Sequence, residues 1–255
     1  MWLLVIPVLL VLGFVFRKNV LFLVRAIYSF YYFPFFMVCA RVMTASDMQT
    51  LWSSQANWFC QVKLQKLEGS VPVTRDRSVI LLGNHRNIAD FFIHDIVTEN
   101  TCNYLSRALV GFVFPFIGFF SYIENRAWYF VRGNKTATID KFYEWLDSKF
   151  KSTDLKRQHL IVYPEGHRNL KKEPLPLKFG MIRYAYLRQM PIQMFMCTGY
   201  DQTLDEKSLT AEFGESIVKY CIYKPIYPAD YPDEKTFFKE IEQLFYSRFY
   251  DTINK

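Results

Sequence analysis

The stretch Ser78-Val79-Ile80-Leu81-Leu82-Gly83-Asn84-His85-Arg86-Asn87-Ile88-Ala89-Asp90 decides how the chain folds. Val79 to Leu82 is an unbroken aliphatic run closed by a glycine, the pattern of a short buried strand. From Asp90 to Thr98 the apolar residues recur at helical spacing, so a polar turn joins a strand to a helix. His85 leaves the end of the strand, and Asp90 opens the helix five positions on. That spacing can set a carboxylate beside an imidazole, holding one ring nitrogen by a hydrogen bond and leaving the other to take a proton. Each residue also has an ordinary structural reading, the Asp as a helix N-cap and the His as a core residue.

Outward from this segment the same alternation repeats. Strands are expected at 62–67, 78–82, 128–131, 160–163, 192–196 and 218–223, and helices at 47–60, 90–98, 136–150, 180–188 and 236–250. The order predicts an α/β fold, a mixed and largely parallel sheet flanked by helices, with functional residues in loops at strand ends. Other element ends carry charge. Phe130-Val131-Arg132 ends one strand, Val162-Tyr163-Pro164-Glu165-Gly166-His167-Arg168 ends another, and Lys178-Phe179-Gly180 opens a helix that reaches Met190-Pro191-Ile192. Arginine binds phosphate with a fork of donors, so one base and several cations point to an anionic, phosphate-bearing substrate. No Ser stands in a G-x-S-x-G setting, so the hydroxyl that His85 would deprotonate belongs to the substrate.

The chain has 255 residues, 51% hydrophobic and 18% aromatic, which excludes a disordered chain and supports one core of ordinary size. Its cysteines, Cys39, Cys60, Cys102, Cys197 and Cys221, have neither C-x-x-C nor zinc spacing and read as buried thiols in a reducing compartment. The net charge of +7 is unevenly placed: from Met1 to Ser46 there is no acid, while Arg17, Lys18, Arg25 and Arg41 are all basic. Trp2 to Phe16 and Ala26 to Ala40 are uncharged apolar runs of 15 residues. Each covers ~22 Å as a helix, short of the ~30 Å hydrocarbon core. They predict a membrane anchor over 1–43, a hairpin in one leaflet or a span with snorkelling ends, ahead of a domain over 44–255. A cleaved signal peptide fits poorly, because Met1-Trp2 offers no basic start and Arg17-Lys18 follows the run where small residues should sit. The basic residues are expected at anionic headgroups, and nucleic-acid binding is not expected. A third uncharged stretch, Ala108 to Ile123, is interrupted by Gly111, Pro115 and Gly118, which argues against a regular spanning helix and for core or an acyl-facing surface.

Four of these motifs together carry a family resemblance. Asn84-His85-x-x-x-x-Asp90 resembles the first motif of the glycerolipid acyltransferases, the superfamily of the lysophosphatidic acid and glycerol-3-phosphate acyltransferases. Phe130-x-Arg132 resembles the second, Pro164-Glu165-Gly166-His167-Arg168 the third, and Met190-Pro191-Ile192 the fourth, in the family's order. Departures are His167 where the family usually has Thr or Ser, Ala127 where the second motif often starts with Gly, and Gln193 in a normally aliphatic fourth motif.

The resemblance implies a membrane-bound enzyme that moves a fatty acyl group from acyl-CoA to a lysophospholipid, foremost lysophosphatidic acid to give phosphatidic acid. His85 would be the general base and Asp90 its orienting partner; Arg132, Glu165, Gly166, Arg168 and Lys178 would bind the acceptor. No metal, no cofactor and no covalent intermediate are implied, with acyl-CoA as co-substrate. The membrane would be the endoplasmic reticulum in a eukaryote, with the site facing the cytosol. Glycerol-3-phosphate or another lysophospholipid is the alternative acceptor within the superfamily. Two different classes compete: a non-catalytic lipid-binding protein on this fold, and a metal-dependent phosphohydrolase built on His94-Asp95 with His85 and Asp90.

Overall fold

A computed structural model describes residues 13–44, 47–131, 138–153 and 157–254. Arg132 and most of the first apolar run lie outside the described residues. Helices are α1 (Arg17–Ile27), α2 (Phe33–Thr44), α3 (Met48–Phe59), α4 (Asp90–Val97), α5 (Ala108–Val113), α6 (Pro115–Ile123), α7 (Ile139–Lys151), α8 (Gly180–Leu187) and α9 (Glu234–Ile253). Strands are β1 (Val62–Lys66), β2 (Ile80–Gly83), β3 (Cys102–Arg107), β4 (Ala127–Phe130), β5 (His159–Val162), β6 (Ile192–Thr198) and β7 (Ser216–Ile222). Three helices start on side-chain caps: Asp47 accepts from the Thr50 amide, Thr138 from Lys141 and Asp233 from Thr236.

The strands form one sheet in the order β1-β7-β6-β2-β5-β3-β4, parallel throughout except where β6 meets β7. Period-two alternation divides its side chains between two cores. Leu81, Ile161 and Phe195 join α3 and α4 on one face, while Ile80, Leu82, Leu160 and Met194 join α7, α8 and α9 on the other. Because β2, β5 and β6 are parallel neighbours, their C-terminal ends open on one edge, where the residues following Gly83, Val162 and Thr198 come together.

One strand was not expected. β3, Cys102-Asn103-Tyr104-Leu105-Ser106-Arg107, has no apolar run, because its polar residues are buried through hydrogen bonds: Asn103 Nδ2 donates to the Arg157 and His159 carbonyls at 2.6 and 3.2 Å. It separates β5 from β4 in the sheet. The Ala108–Ile123 stretch forms two short helices that break at Phe114-Pro115. They cross at glycine, since a Cβ on Gly118 would lie 2.8 Å from the Gly111 backbone.

At the N-terminal end, Arg25 does not divide two runs. The chain stays helical from α1 through a π-helical turn, Tyr28–Tyr32, into α2. That turn precedes Pro34, which has no N–H for the Phe30 carbonyl and whose ring crowds it, so the ladder widens there. Arg17–Cys39 is thereby long and apolar enough to cross a membrane by length and composition, with about a third of it buried against the body. Arg25 also departs from its expected place at the headgroups. It is 2% exposed and donates to the carbonyls of Thr203, Glu212 and Gly214 in the segment between β6 and β7. Lys18 pairs with Glu212 in the same segment. Of the cysteines, Cys60, Cys102, Cys197 and Cys221 are buried as expected, while Cys39 is exposed.

Candidate active site

The loop after β2 is built by side chains that imitate backbone. Asn84 donates from Nδ2 to the Cys197 carbonyl at 2.7 Å and accepts from the Cys197 amide at 2.9 Å, so its amide extends the β2–β6 pairing by one step. Gly83 is required by close approach, since a Cβ there would overlap the Phe195 ring. Asn87 accepts from the Ala89 amide and donates to the Tyr200 carbonyl. These contacts turn the chain so that α4 begins on Ala89, which offers no side-chain cap. Asp90 is thus the first helical residue rather than the cap. Its carboxylate turns back over the helix N-terminus, where negative charge is favoured.

His85 and Asp90 are in contact. His85 Nδ1 lies 2.5 Å from Asp90 Oδ2, and the Arg86 amide donates to the same oxygen at 2.7 Å. Asp90 is fully buried, whereas the His85 side chain is 16% exposed, so the ring's other edge is the side a substrate can reach. The His85 ring stacks on Tyr163, centroids 4.1 Å apart and planes 11° from parallel. Burial opposes ionisation of Asp90, but His94, His85 and the Tyr200 hydroxyl outweigh it and hold its pKa below the usual carboxylate range. A carboxylate beside the ring fixes its tautomer and stabilises the imidazolium that forms when the free nitrogen accepts a proton.

The other expected residues fall in two groups. Glu165 is 1% exposed and faces the protein: Oε1 accepts from the Leu175 amide and from Asn169 Nδ2. Burial pushes its pKa up, against the pull of Leu175, Asn169 and the His85 amide. The Asn169 amide donates in turn to the His85 carbonyl at 2.7 Å, so Glu165 shapes the loop that holds His85. Arg86 closes the same structure from inside, donating to the carbonyls of Leu170 and Lys171 and to both carboxylate oxygens of Asp201. Gly166, Arg168 and Lys178 are exposed at the rim. Gly166 has φ +73°, a conformation other residues rarely adopt, and the Lys178 stem passes it closely enough to touch an added Cβ at 3.4 Å. Arg168 pairs with Glu206 at 2.6 Å, and Glu206 also accepts from the Ile88 amide at 3.2 Å. Met190-Pro191-Ile192 lies at the opposite end of the sheet, where the Pro191 carbonyl accepts from Ile80 at the start of β2. Gln193 is a buried staple there, bonded to Pro72, Thr74 and Tyr223.

His94 and Asp95 do not converge. Asp95 turns to Arg126 Nη2 at 2.8 Å and Ser53 Oγ at 2.7 Å, a buried ion pair between helix and sheet edge. His94 is held between the Tyr163 hydroxyl on Nδ1 and the Tyr200 hydroxyl on Nε2, 3.0 Å each. Neither tyrosine was singled out from the sequence, although both directly follow strand ends, Tyr163 after β5 and Tyr200 after Gly199. An apolar pocket of about 30 Å³ has Phe91, the residue after Asp90, in its lining. Phe30, Trp52, Phe114, Ile117 and Tyr129 are among its walls.

Comparison with known proteins agrees with this architecture. A family model described as Acyltransferase matches residues 65–197. A 1-acyl-sn-glycerol-3-phosphate acyltransferase from Cocos nucifera is 27% identical over 157 residues, 61% of this chain. The chain spans about half the length of that curated relative, 48%. The crystal structure of the 1-acyl-sn-glycerophosphate (LPA) acyltransferase PlsC from Thermotoga maritima superposes with a TM-score of 0.68 at 17% identity, covering 92% of this chain and 95% of that one. With 133 of its 255 residues inside the matching family region and that fold around them, the chain belongs to the Acyltransferase family.

Proposed function

We propose that this acyltransferase moves a fatty acyl group from acyl-CoA to the free hydroxyl of a lysophospholipid, lysophosphatidic acid giving phosphatidic acid. The observation that carries the reading is the His85–Asp90 contact, a half-open imidazole backed by a fully buried carboxylate. In this mechanism the acceptor hydroxyl gives its proton to His85 Nε2 as its oxygen attacks the thioester carbonyl. The tetrahedral intermediate collapses, the C–S bond breaks, and the departing thiolate takes the proton from His85. The side chain of Asp90 keeps the proton on Nδ1 and balances the imidazolium. No protein nucleophile and no metal takes part.

We place the acyl chain along the apolar pocket that Phe91 lines, next to the exposed apolar face of α5 and α6. The acceptor's phosphate lies at the rim with Arg168 and Lys178; Arg132, outside the described residues, is a further phosphate-binding residue by the family resemblance alone. On Arg168 it would replace the Glu206 carboxylate. Glu165 acts indirectly, by holding the His85 loop. The bilayer meets the N-terminal helices together with α5 and α6, which touch one another through Phe35 on Phe116 and through the Tyr31 hydroxyl on the Val113 carbonyl. Phe16, Leu23, Phe35, Phe112 and Phe119 are exposed along these elements, and such a patch fits acyl chains better than water. Residues 1–43 form the anchor in this reading, with the active site on the cytosolic leaflet, the endoplasmic reticulum's in a eukaryotic cell.

The test is transfer of labelled acyl groups by membranes containing His85→Ala or Asp90→Asn, with acyl-CoA or acyl carrier protein as donor and a panel of lysolipids as acceptor. His85→Ala is expected to lower the rate about 10²- to 10⁴-fold, the usual contribution of a general base. Wild-type rates in both variants would refute the mechanism, and the panel identifies donor and headgroup.

A further inference from the structure

Asp90 has two carboxylate oxygens, and the dyad uses one. Oδ2 holds His85 and the Arg86 amide. Oδ1 is buried without a hydrogen-bond donor in normal geometry. His94 Nε2 lies 3.7 Å from it, and the Tyr200 hydroxyl, 3.0 Å from that same nitrogen, favours the ionised form of Asp90. An ionised oxygen left unsatisfied in a buried site is costly, so its surroundings have a task.

The ring of His94 settles which way the neighbouring protons point. It is fully buried between two phenols, and burial lowers its pKa to about 4, so at neutral pH it carries one N–H and one lone pair. If Nδ1 held the proton, Tyr200 would have to donate to Nε2 and would turn its lone pairs toward Asp90. With the proton on Nε2, Tyr163 donates to Nδ1, Nε2–H donates to the Tyr200 oxygen, and the Tyr200 hydrogen is free for Asp90 Oδ1. The carboxylate selects the second arrangement. The same Tyr163 stacks against the catalytic ring, so the chain leaves His85 and returns to it. The remaining titratable or charged groups around Asp90 are Arg86, engaged with Asp201, the Cys197 thiol, and Glu206 at the rim.

We propose that Tyr163, His94 and Tyr200 form a hydrogen-bond relay behind the dyad, in which neutral His94 directs the Tyr200 hydroxyl onto the second oxygen of Asp90. They are positioning residues, acting through Asp90 and the His85 ring. The relay rests on the reading of His85 as general base. Its task is to keep Asp90 ionised and aimed while a proton arrives on His85 at each turnover.

Tyr200→Phe keeps the ring and removes only the hydroxyl. Expected is a fall in kcat of about ten-fold or more, the loss of one hydrogen bond to a charged group, with KM for donor and acceptor within about three-fold. The acid limb of the kcat/KM profile should move to higher pH, because Asp90 becomes easier to protonate. His94→Gln, whose neutral amide offers one donor and one acceptor, should retain most activity, while His94→Leu should not. Wild-type kcat and an unmoved acid limb in Tyr200→Phe overturn the relay. If that variant does not fold, Tyr163→Phe decides: the same displacement in lesser degree supports the relay, and a wild-type profile overturns it. His85→Ala, run alongside, separates the two claims. Full activity there removes the general base and the relay with it, whereas an inactive His85→Ala beside an unaltered Tyr200→Phe overturns the relay alone.

Discussion

Asn84 is 1% exposed and directs its whole amide to one backbone residue, Cys197. Its place beside His85 suggests chemistry, but its bonds make it a strand residue in side-chain form. Removing it leaves a buried N–H and a buried carbonyl unpaired, each worth ~1–3 kcal/mol. Asn84→Ala should therefore lower the unfolding free energy by ~2–4 kcal/mol in urea titrations, whereas Asp90→Asn should lower transfer far more than stability. At this scale the sequence was informative where partners are neighbours. His85 and Asp90 are five positions apart and could be paired by eye. Tyr200 is 106 positions from His94, and only the β2–β6 register brings them together. His94 itself stands out in the sequence as half of the His94-Asp95 pair, but as a metal ligand. Whether an imidazole will bind a metal or two phenols depends on what the fold places opposite it, which spacing along one helix does not encode.

The α5–α6 pair illustrates the same limit for elements. Gly111, Pro115 and Gly118 were enough to exclude a long helix, yet not to show that the two glycines meet and let the short helices cross. That crossing sets one wall of the apolar cavity, and Ala127 on β4 is a small residue on another. Ala127→Leu adds three carbons to the space where we place the acyl chain. Competition between long and short acyl donors should then shift toward short ones by ~10-fold or more, since a methylene or two in a tight apolar pocket changes discrimination by ~1–3 kcal/mol. An unchanged preference would put the chain elsewhere. β3 went unread for a related reason: a strand whose polar side chains are satisfied by neighbours in the sheet lacks the apolar signature that marks β2, β5 and β6, although its Tyr104-Leu105 pair favours extended backbone.

For the whole molecule, two buried histidines make stability fall with acid, opposed by Asp95, Glu165 and Glu206, whose pKa values burial raises. His94 and His159 both have pKa values lowered to about 4, in each case first by burial. Unfolded, they would titrate near 6.5, so between about 6.5 and 4 the unfolded state binds more protons. Stability rises with pH across that window and is lost as pH falls, by about 1.4 kcal/mol per pH unit for each histidine. Asp90, with its lowered pKa, acts in the same direction. Denaturant unfolding at pH 7, 6 and 5 should show the decline, and His159→Gln should remove close to half of the histidine slope. The alternation of strands and helices, the sheet type and the edge that bears the site were all legible beforehand, because they follow from local periodicity and connection rules.

The attachment of the leading helix was not legible. A positively charged residue between two greasy runs reads as a lipid-facing boundary, but Arg25 is turned inward onto three carbonyls of a segment nearly 180 residues away. This has a practical meaning for anyone preparing the enzyme in water. Trimming the greasy start to gain solubility would uncover Met48, Trp52 and Ala56 and leave those carbonyls without their donor. The part that looks like detachable packaging is one of the walls of the building.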